Sequence, residues 1–191
     1  MRDDPLASEL KSAGPTMPMS ADLIAELEAL MPRLRRFATV LMRDEAQVDD
    51  LVQDVVLRAI EKLHLFKEGT NFSGWMFTIM YNRAMSEFRS RRRSPLINKE
   101  LEERDSPRVS AKQEDQIFLG EVGQAWGKLQ ASHREVLYLV VIEQLRYEEA
   151  AEVLEIPIGT VRSRLSRARD ELRVLLEQHQ KGRDAKEAKK M

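Results

Sequence analysis

Cysteine is absent from the 191-residue chain. That excludes disulfides, thiolate zinc sites and cysteine nucleophiles. Aromatic residues are scarce at 6%, and there are only 8 glycines and 7 prolines. Such a balance does not suit a collagen, a low-complexity chain or a glycine-rich barrel. No apolar run approaches the roughly 18 residues of a membrane span. The first twenty residues carry acids early and lack an apolar h-region, so they do not read as a signal peptide. The expected location is cytoplasmic, with no membrane association. Nor does one sign of charge dominate: 31 basic residues stand against 32 acidic ones. An even balance can hide opposite charges kept in separate places, and here it does.

What the sequence has in abundance is helical periodicity. Residues 1–20 hold three of the seven prolines and no period, and read as a disordered tail with Ser20 as the N-cap of the first helix. Leu23, Leu27, Leu30, Leu34, Phe37 and Leu41 then recur at steps of four and three, the stripe of a helix. Pro32 is expected to kink or split it. Val48, Leu51, Val52, Val55, Ala59, Ile60 and Leu63 form a second stripe. A polar stretch, Lys67–Ser73, breaks the pattern, and its Gly69 and Asn71 suit a loop with unusual backbone angles. A third helix is expected from about Gly74 to Arg93. Residues 94–116 contain Pro95, Pro107 and six acids against four bases, and read as a linker. Further helices are expected at about Ile117–Leu129, Ser132–Glu143, Tyr147–Leu154 and Gly159–Glu177, before a polar tail at 178–191. No stretch alternates apolar and polar for long, so no strands are expected.

The fold class is therefore all-α. Two small helical domains, 21–93 and 117–177, are joined by a flexible linker, and each buries only a modest core. Neither promises the deep pocket an enzyme needs. There is no nucleophile elbow and no glycine-rich phosphate loop. The three histidines are isolated in sequence, so no metal or cofactor is expected.

Three segments carry the chemistry. In Leu145–Arg173 (LRYEEAAEVLEIPIGTVRSRLSRARDELR) a short helix, a turn at Glu155-Ile156-Pro157 and a second helix give helix-turn-helix spacing. Val161, Leu165, Ala168 and Leu172 form the buried stripe of the second helix, and Ser163, Ser166, Arg167 and Asp170 point away from it. Five arginines against Asp170 and Glu171 leave +3 on that helix, which suits a DNA major groove.

In Phe72–Arg93 (FSGWMFTIMYNRAMSEFRSRRR) five arginines against Glu87 give +4 among interleaved aromatics, a pattern that single-stranded nucleic acid binding requires. Trp75 and Phe88, at helical spacing, fit core positions better than stacking platforms. In Arg43–Asp54 five acids stand against one arginine. Taken alone, that face reads as solvated.

At these residues the chain resembles the extracytoplasmic-function sigma factors, two-domain bacterial transcription initiation factors. DDLVQDVVLRAIEKL is similar to sigma region 2.2, the Phe72–Arg93 stretch to regions 2.3 and 2.4, and YEEAAEVLEIPIGTVRSRLSRAR to region 4.2. FKEGTNFSGWMFTI, SEFRSRRR and YEEAAE are further similar to the general stress response subgroup. The chain departs from the family at Glu155, where members often have the glycine that a left-handed turn favours by roughly 1 kcal/mol, and at Arg146, where members often have a capping serine.

The resemblance implies a region 2 helical bundle and a region 4 helix-turn-helix, and no bond chemistry. It implies that Asp49, Asp50, Gln53 and Asp54 dock on the β′ clamp helices of core RNA polymerase, which reverses the solvated reading of that face; region 4 would meet the β flap. Asn71, Phe72, Asn82, Arg83 and Arg89 would hold the melted −10 strand. Arg162, Ser163, Ser166 and Arg167 would read −35 base edges, with Thr160, Arg164 and Arg169 on phosphates. An anti-sigma factor of the NepR type is the implied regulator. A stand-alone helix-turn-helix dimer would leave the Phe72–Arg93 segment unexplained. A sigma-like decoy would lack the recognition-helix arginines.

Overall fold

The computed structural model describes residues 20–42, 44–67, 69–93 and 121–188. Its elements run α1 (Ala21–Leu41), α2 (Glu45–Glu61), a 3₁₀ turn (Leu63–Leu65), α3 (Phe72–Arg93), α4 (Glu121–Lys128), α5 (Ala131–Leu137), α6 (Tyr147–Leu154) and α7 (Ile158–Ala188). No strand occurs among the described residues. The tail at 1–19, the linker at 94–116 and the start of the helix expected from Ile117 lie outside them.

Ser20 caps α1 as its type demands: its hydroxyl oxygen accepts from the Leu23 N–H at 3.3 Å. The α1 stripe is buried at Leu27, Leu30, Leu34, Phe37 and Leu41. Pro32 does not split the helix, which runs unbroken to Leu41. Pro32 lies on the exposed side, as does Glu28, so water can serve the carbonyl that the missing N–H leaves unpaired. Helix α3 starts at Phe72, two residues earlier than the periodicity predicts, because Asn71 caps it. The Asn71 Oδ1 accepts from the Gly74 N–H at 3.0 Å and from the Ser73 hydroxyl at 2.8 Å. Of the two loop residues expected to take unusual angles, Gly69 alone has a positive φ, +81°.

The helix expected at Ser132–Glu143 is α-helical only to Leu137. It continues as a π-helical turn, Tyr138–Ile142, closed by a Glu143 N–H to Tyr138 O bond at 2.9 Å. The wider turn leaves Tyr138 and Leu139 buried and Val141 and Ile142 exposed. Helix α7 runs to Ala188 rather than to Glu177. Beyond Leu176 the sequence is rich in Glu, Gln, Lys and Ala, whose propensity extends a helix without packing.

The two expected domains also meet: their buried residues form one contiguous cluster from Leu27 to Ala168. Phe37 on α1 joins the halves: its ring meets Phe77 edge-on at 5.3 Å and stacks on Tyr138 at 5.3 Å. Around this seam Arg33 pairs with Glu143 at 2.6 Å, and the Tyr138 hydroxyl donates to the Arg33 carbonyl at 3.1 Å. The Glu143 side chain is only 2% exposed, a buried charge that is tolerable because it is paired. Burial first, and the nearby Glu143 charge second, push the Tyr138 hydroxyl pKa far up, so this donor keeps its proton.

Candidate nucleic-acid interface

The helix-turn-helix is built as the sequence implies. Val161, Leu165 and Ala168 are buried on α7, and Leu172 packs against the same core. Opposite them Arg162, Ser163, Ser166, Arg167, Arg169 and Asp170 are exposed, with Thr160 and Arg164 at the margins. Arg173 is neutralised by Asp170. Among the described residues, Arg162, Arg164, Arg167 and Arg169 face no carboxylate. Four unpaired guanidinium groups on one exposed face can meet phosphates and base edges.

The turn before α7 holds Glu155 at φ 52°, ψ 43°, the left-handed conformation that the family's glycine position implies. Arg146 makes no side-chain cap to α6. Glu149 reaches back instead, accepting from the Arg146 N–H at 2.8 Å and from its guanidinium at 3.1 Å. That is one half of a capping box. The Arg146 bond holds the Glu149 carboxyl below the ordinary carboxylate range, against the effect of burial, with a smaller contribution from Asn71.

Glu171 has two partners at the start of α5. It accepts from the Gln130 N–H at 3.2 Å and pairs with His133. His133 is therefore not isolated. Its carboxylate lies 38 residues away, beyond the reach of spacing arguments.

Three of the five strand-binding candidates line an open groove beside α2 and α3, and Asn71 and Phe72 do not. Asn82, Arg83 and Arg89 line it with Arg58 and Lys62. Arg58 on α2 and Lys62 just after it were not evident from the periodicity, because they follow the segment read as acidic. Trp75 is half-buried in an aromatic cluster, its ring 5.2 Å from Phe66 and 5.8 Å from Phe72. Phe72 is 3% exposed, which corrects its place among the strand contacts. Its ring is committed to the core and anchors the loop from below. Asn71 stays exposed, and its amide donates to Glu149 Oε1 at 2.9 Å.

The acidic face of α2 is only partly free. Asp49 pairs with Arg35, which also meets Glu45 at 3.4 Å. Asp54 takes Arg58 at 3.1 Å and also Arg83. Burial pushes the Asp54 pKa up, but the bonds from Arg83 and Arg58 together outweigh it and hold the carboxyl below its usual range. Asp50 and Gln53 remain exposed. Among the described residues no group of three or more acids or histidines could hold a metal ion, and no helix is long and apolar enough to cross a membrane.

Comparison with known proteins agrees with this arrangement. Residues 27–94 match the Sigma-70 region 2 family, and residues 119–172 match Sigma-70 region 4. The ECF RNA polymerase sigma factor EcfG of Rhodopseudomonas palustris is 35% identical over 84% of this chain and 88% of its own length. The RNA polymerase sigma factor HrpL of Pseudomonas syringae is 30% identical over 83% of this chain and 90% of its own. Among solved structures, the sigma factor RpoE in complex with the anti-sigma factor NepR from Bartonella quintana superposes with a TM-score of 0.65. It is 32% identical, and the match covers 83% of this chain and 98% of that one.

Proposed function

The chain belongs to the extracytoplasmic-function RNA polymerase sigma factors, and from that premise we propose how its two units divide promoter recognition. A sigma factor directs RNA polymerase to promoters, and this one carries both regions the task needs. In our reading, unit 117–177 inserts α7 into the −35 duplex. Arg162, Ser163, Ser166 and Arg167 read base edges there, while Thr160, Arg164 and Arg169 hold phosphates. Unit 21–93 holds the unpaired −10 strand with Asn71, Asn82, Arg83 and Arg89. Arg58 and Lys62 add charge to the same groove, and Phe72 supports the loop from within the core. Asp50 and Gln53, with Asp49 and Asp54 behind their arginine partners, form the docking face for the polymerase β′ clamp, and the second unit meets the β flap. No bond is made or broken by the protein. Captured unpaired bases offset the cost of unstacking, a few kcal/mol per base.

The observation that carries this reading is the exposed row of carboxylate-free arginines on α7, held rigid by its buried stripe. Assignment to a general stress response, with an anti-sigma factor of the NepR type as regulator, rests on likeness to EcfG and to the RpoE partnered by NepR. Run-off transcription with core polymerase and a promoter library tests the function. Defined start sites with paired −35 and −10 motifs are expected. Absence of any defined start would overturn it.

A further inference from the structure

Thr160, Arg164, Arg167 and Glu171 follow one another on α7 at steps of four, three and four, so they share one side of the helix. Arg167 and Glu171 are thus neighbours at the spacing where opposite charges pair. Elsewhere in the chain such neighbours do pair. Arg83 meets Glu87 at 3.4 Å in the same order and spacing, and on α7 itself Arg173 meets Asp170. Yet Arg167 faces no carboxylate among the described residues, because Glu171 is turned to the start of α5. One of its oxygens accepts from the Gln130 N–H at 3.2 Å, and the other from His133 Nδ1. An ionised carboxylate only accepts, so Nδ1 carries the proton of that bond. The His133 side chain is 12% exposed, so this bond is shielded from water in a way that a pair with the exposed Arg167 would not be. Gln130 is the N-cap residue of α5 and makes no side-chain cap of its own. The carboxylate from α7 supplies an acceptor at that end instead.

We infer that His133 is a positioning residue for DNA reading: together with the Gln130 N–H it holds the Glu171 carboxylate off Arg167 and leaves that guanidinium open to the −35 duplex. This rests on the assignment of Arg167 to base edges. Released from α5, Glu171 would close an ion pair with Arg167 one turn away. The duplex would then have to displace the carboxylate before the guanidinium could form its two bonds to a base. The freed acid would also bring a negative charge towards the phosphates. A group that is occupied part of the time binds more weakly in proportion to the fraction left open. The buried stripe of Val161, Leu165 and Ala168 seats α7. The contact with α5 decides which of the charges on its outer side may meet.

The test compares His133→Leu, which fills the space and cannot donate, with His133→Gln, whose amide can. Both are made in the full chain, and His133→Leu is repeated in the Glu171→Gln and Arg167→Ala backgrounds. The probe is a labelled duplex that the wild-type chain selects from a double-stranded pool with a randomised centre, titrated by fluorescence anisotropy beside thermal melts. His133→Leu is expected to weaken binding about threefold, the scale of one exposed ion pair standing in competition, and His133→Gln to restore most of the loss. In the Glu171→Gln and Arg167→Ala backgrounds His133→Leu should have no effect on binding, because one member of the competing pair is gone. Equal loss in all three backgrounds would mean that His133 only stabilises the fold, and overturns the inference. So does unchanged binding of His133→Leu in the otherwise wild-type chain. If Arg167→Ala alone leaves binding of the selected duplex unchanged, the assignment of Arg167 to base edges fails first, and the inference falls with it.

Discussion

The Asp54 carboxylate on α2 accepts a hydrogen bond from the Arg83 guanidinium on α3, across 29 residues of sequence. One end of this pair belongs to the proposed polymerase face and the other to the proposed strand groove. Arg58, one turn along α2, completes the cluster at 3.1 Å. The charge proposed to attract a nucleic acid strand is therefore anchored by the charge proposed to face the polymerase. Asp54→Asn should destabilise the fold by about 1 kcal/mol, the scale of a charge-assisted bond discounted for partial exposure. It should also loosen Arg83. Urea unfolding of D54N, R83Q and the double variant checks this, with non-additive losses expected.

The same pair sets an acid limit. The Asp54 carboxyl titrates lower in the folded chain than in the unfolded one, because the Arg83 and Arg58 bonds outweigh burial. Its contribution is fully present above the unfolded value of about 4 and is lost as pH falls through the lower folded value. The stability difference between the wild type and Asp54→Asn should thus be constant near neutrality and shrink on acidification below about pH 4. A difference that grew in acid would contradict the assignment.

Arg167 is exposed at the centre of the α7 face. Arg167→Ala should cut binding to the preferred −35 duplex by about tenfold, the low end for losing a two-bond base contact. Thermal stability and affinity for core polymerase should not change. Electrophoretic mobility shifts on matched and scrambled duplexes, beside a core-binding titration, separate these outcomes. Equal losses in both assays would remove Arg167 from DNA reading.

Glu155 holds φ at 52° with a side chain that disfavours it. Glu155→Gly should raise stability by about 1 kcal/mol, since glycine carries no Cβ penalty there. A higher urea midpoint with an unchanged slope is the expected result. A lower midpoint would mean that the carboxylate contributes more than its backbone strain costs.

The recognition helix was legible because one period governs it: Val161, Leu165 and Ala168 go inward, and the arginines between them have nowhere else to point. The Ser20 cap was legible because it depends on near neighbours, and the left-handed Glu155 because the family resemblance marks a glycine position there. What could not be read depends on distant ones. Arg33 meets Glu143 across 110 residues, Asn71 meets Glu149 across 78, and His133 meets Glu171 across 38. No periodicity encodes such meetings. Pro32 misled because its cost depends on which side of the helix it occupies. Phe72 misled because a ring at the first position of a helix can turn either way, and here Phe66 and Trp75 draw it inward. The seam between the two expected domains could not be read, because Phe37 and Tyr138 lie in different segments.

Phe37 spends its edge on Phe77 and its face on Tyr138. Pulling the units apart cannot undo the first contact, so the second is surrendered and a flat aromatic surface on α1 is bared to water. An aromatic pair is worth about 1 kcal/mol beyond its area. With the units apart the bared Phe37 ring would be the stickiest point of α1, and an apolar side chain seated there would take the place of Tyr138.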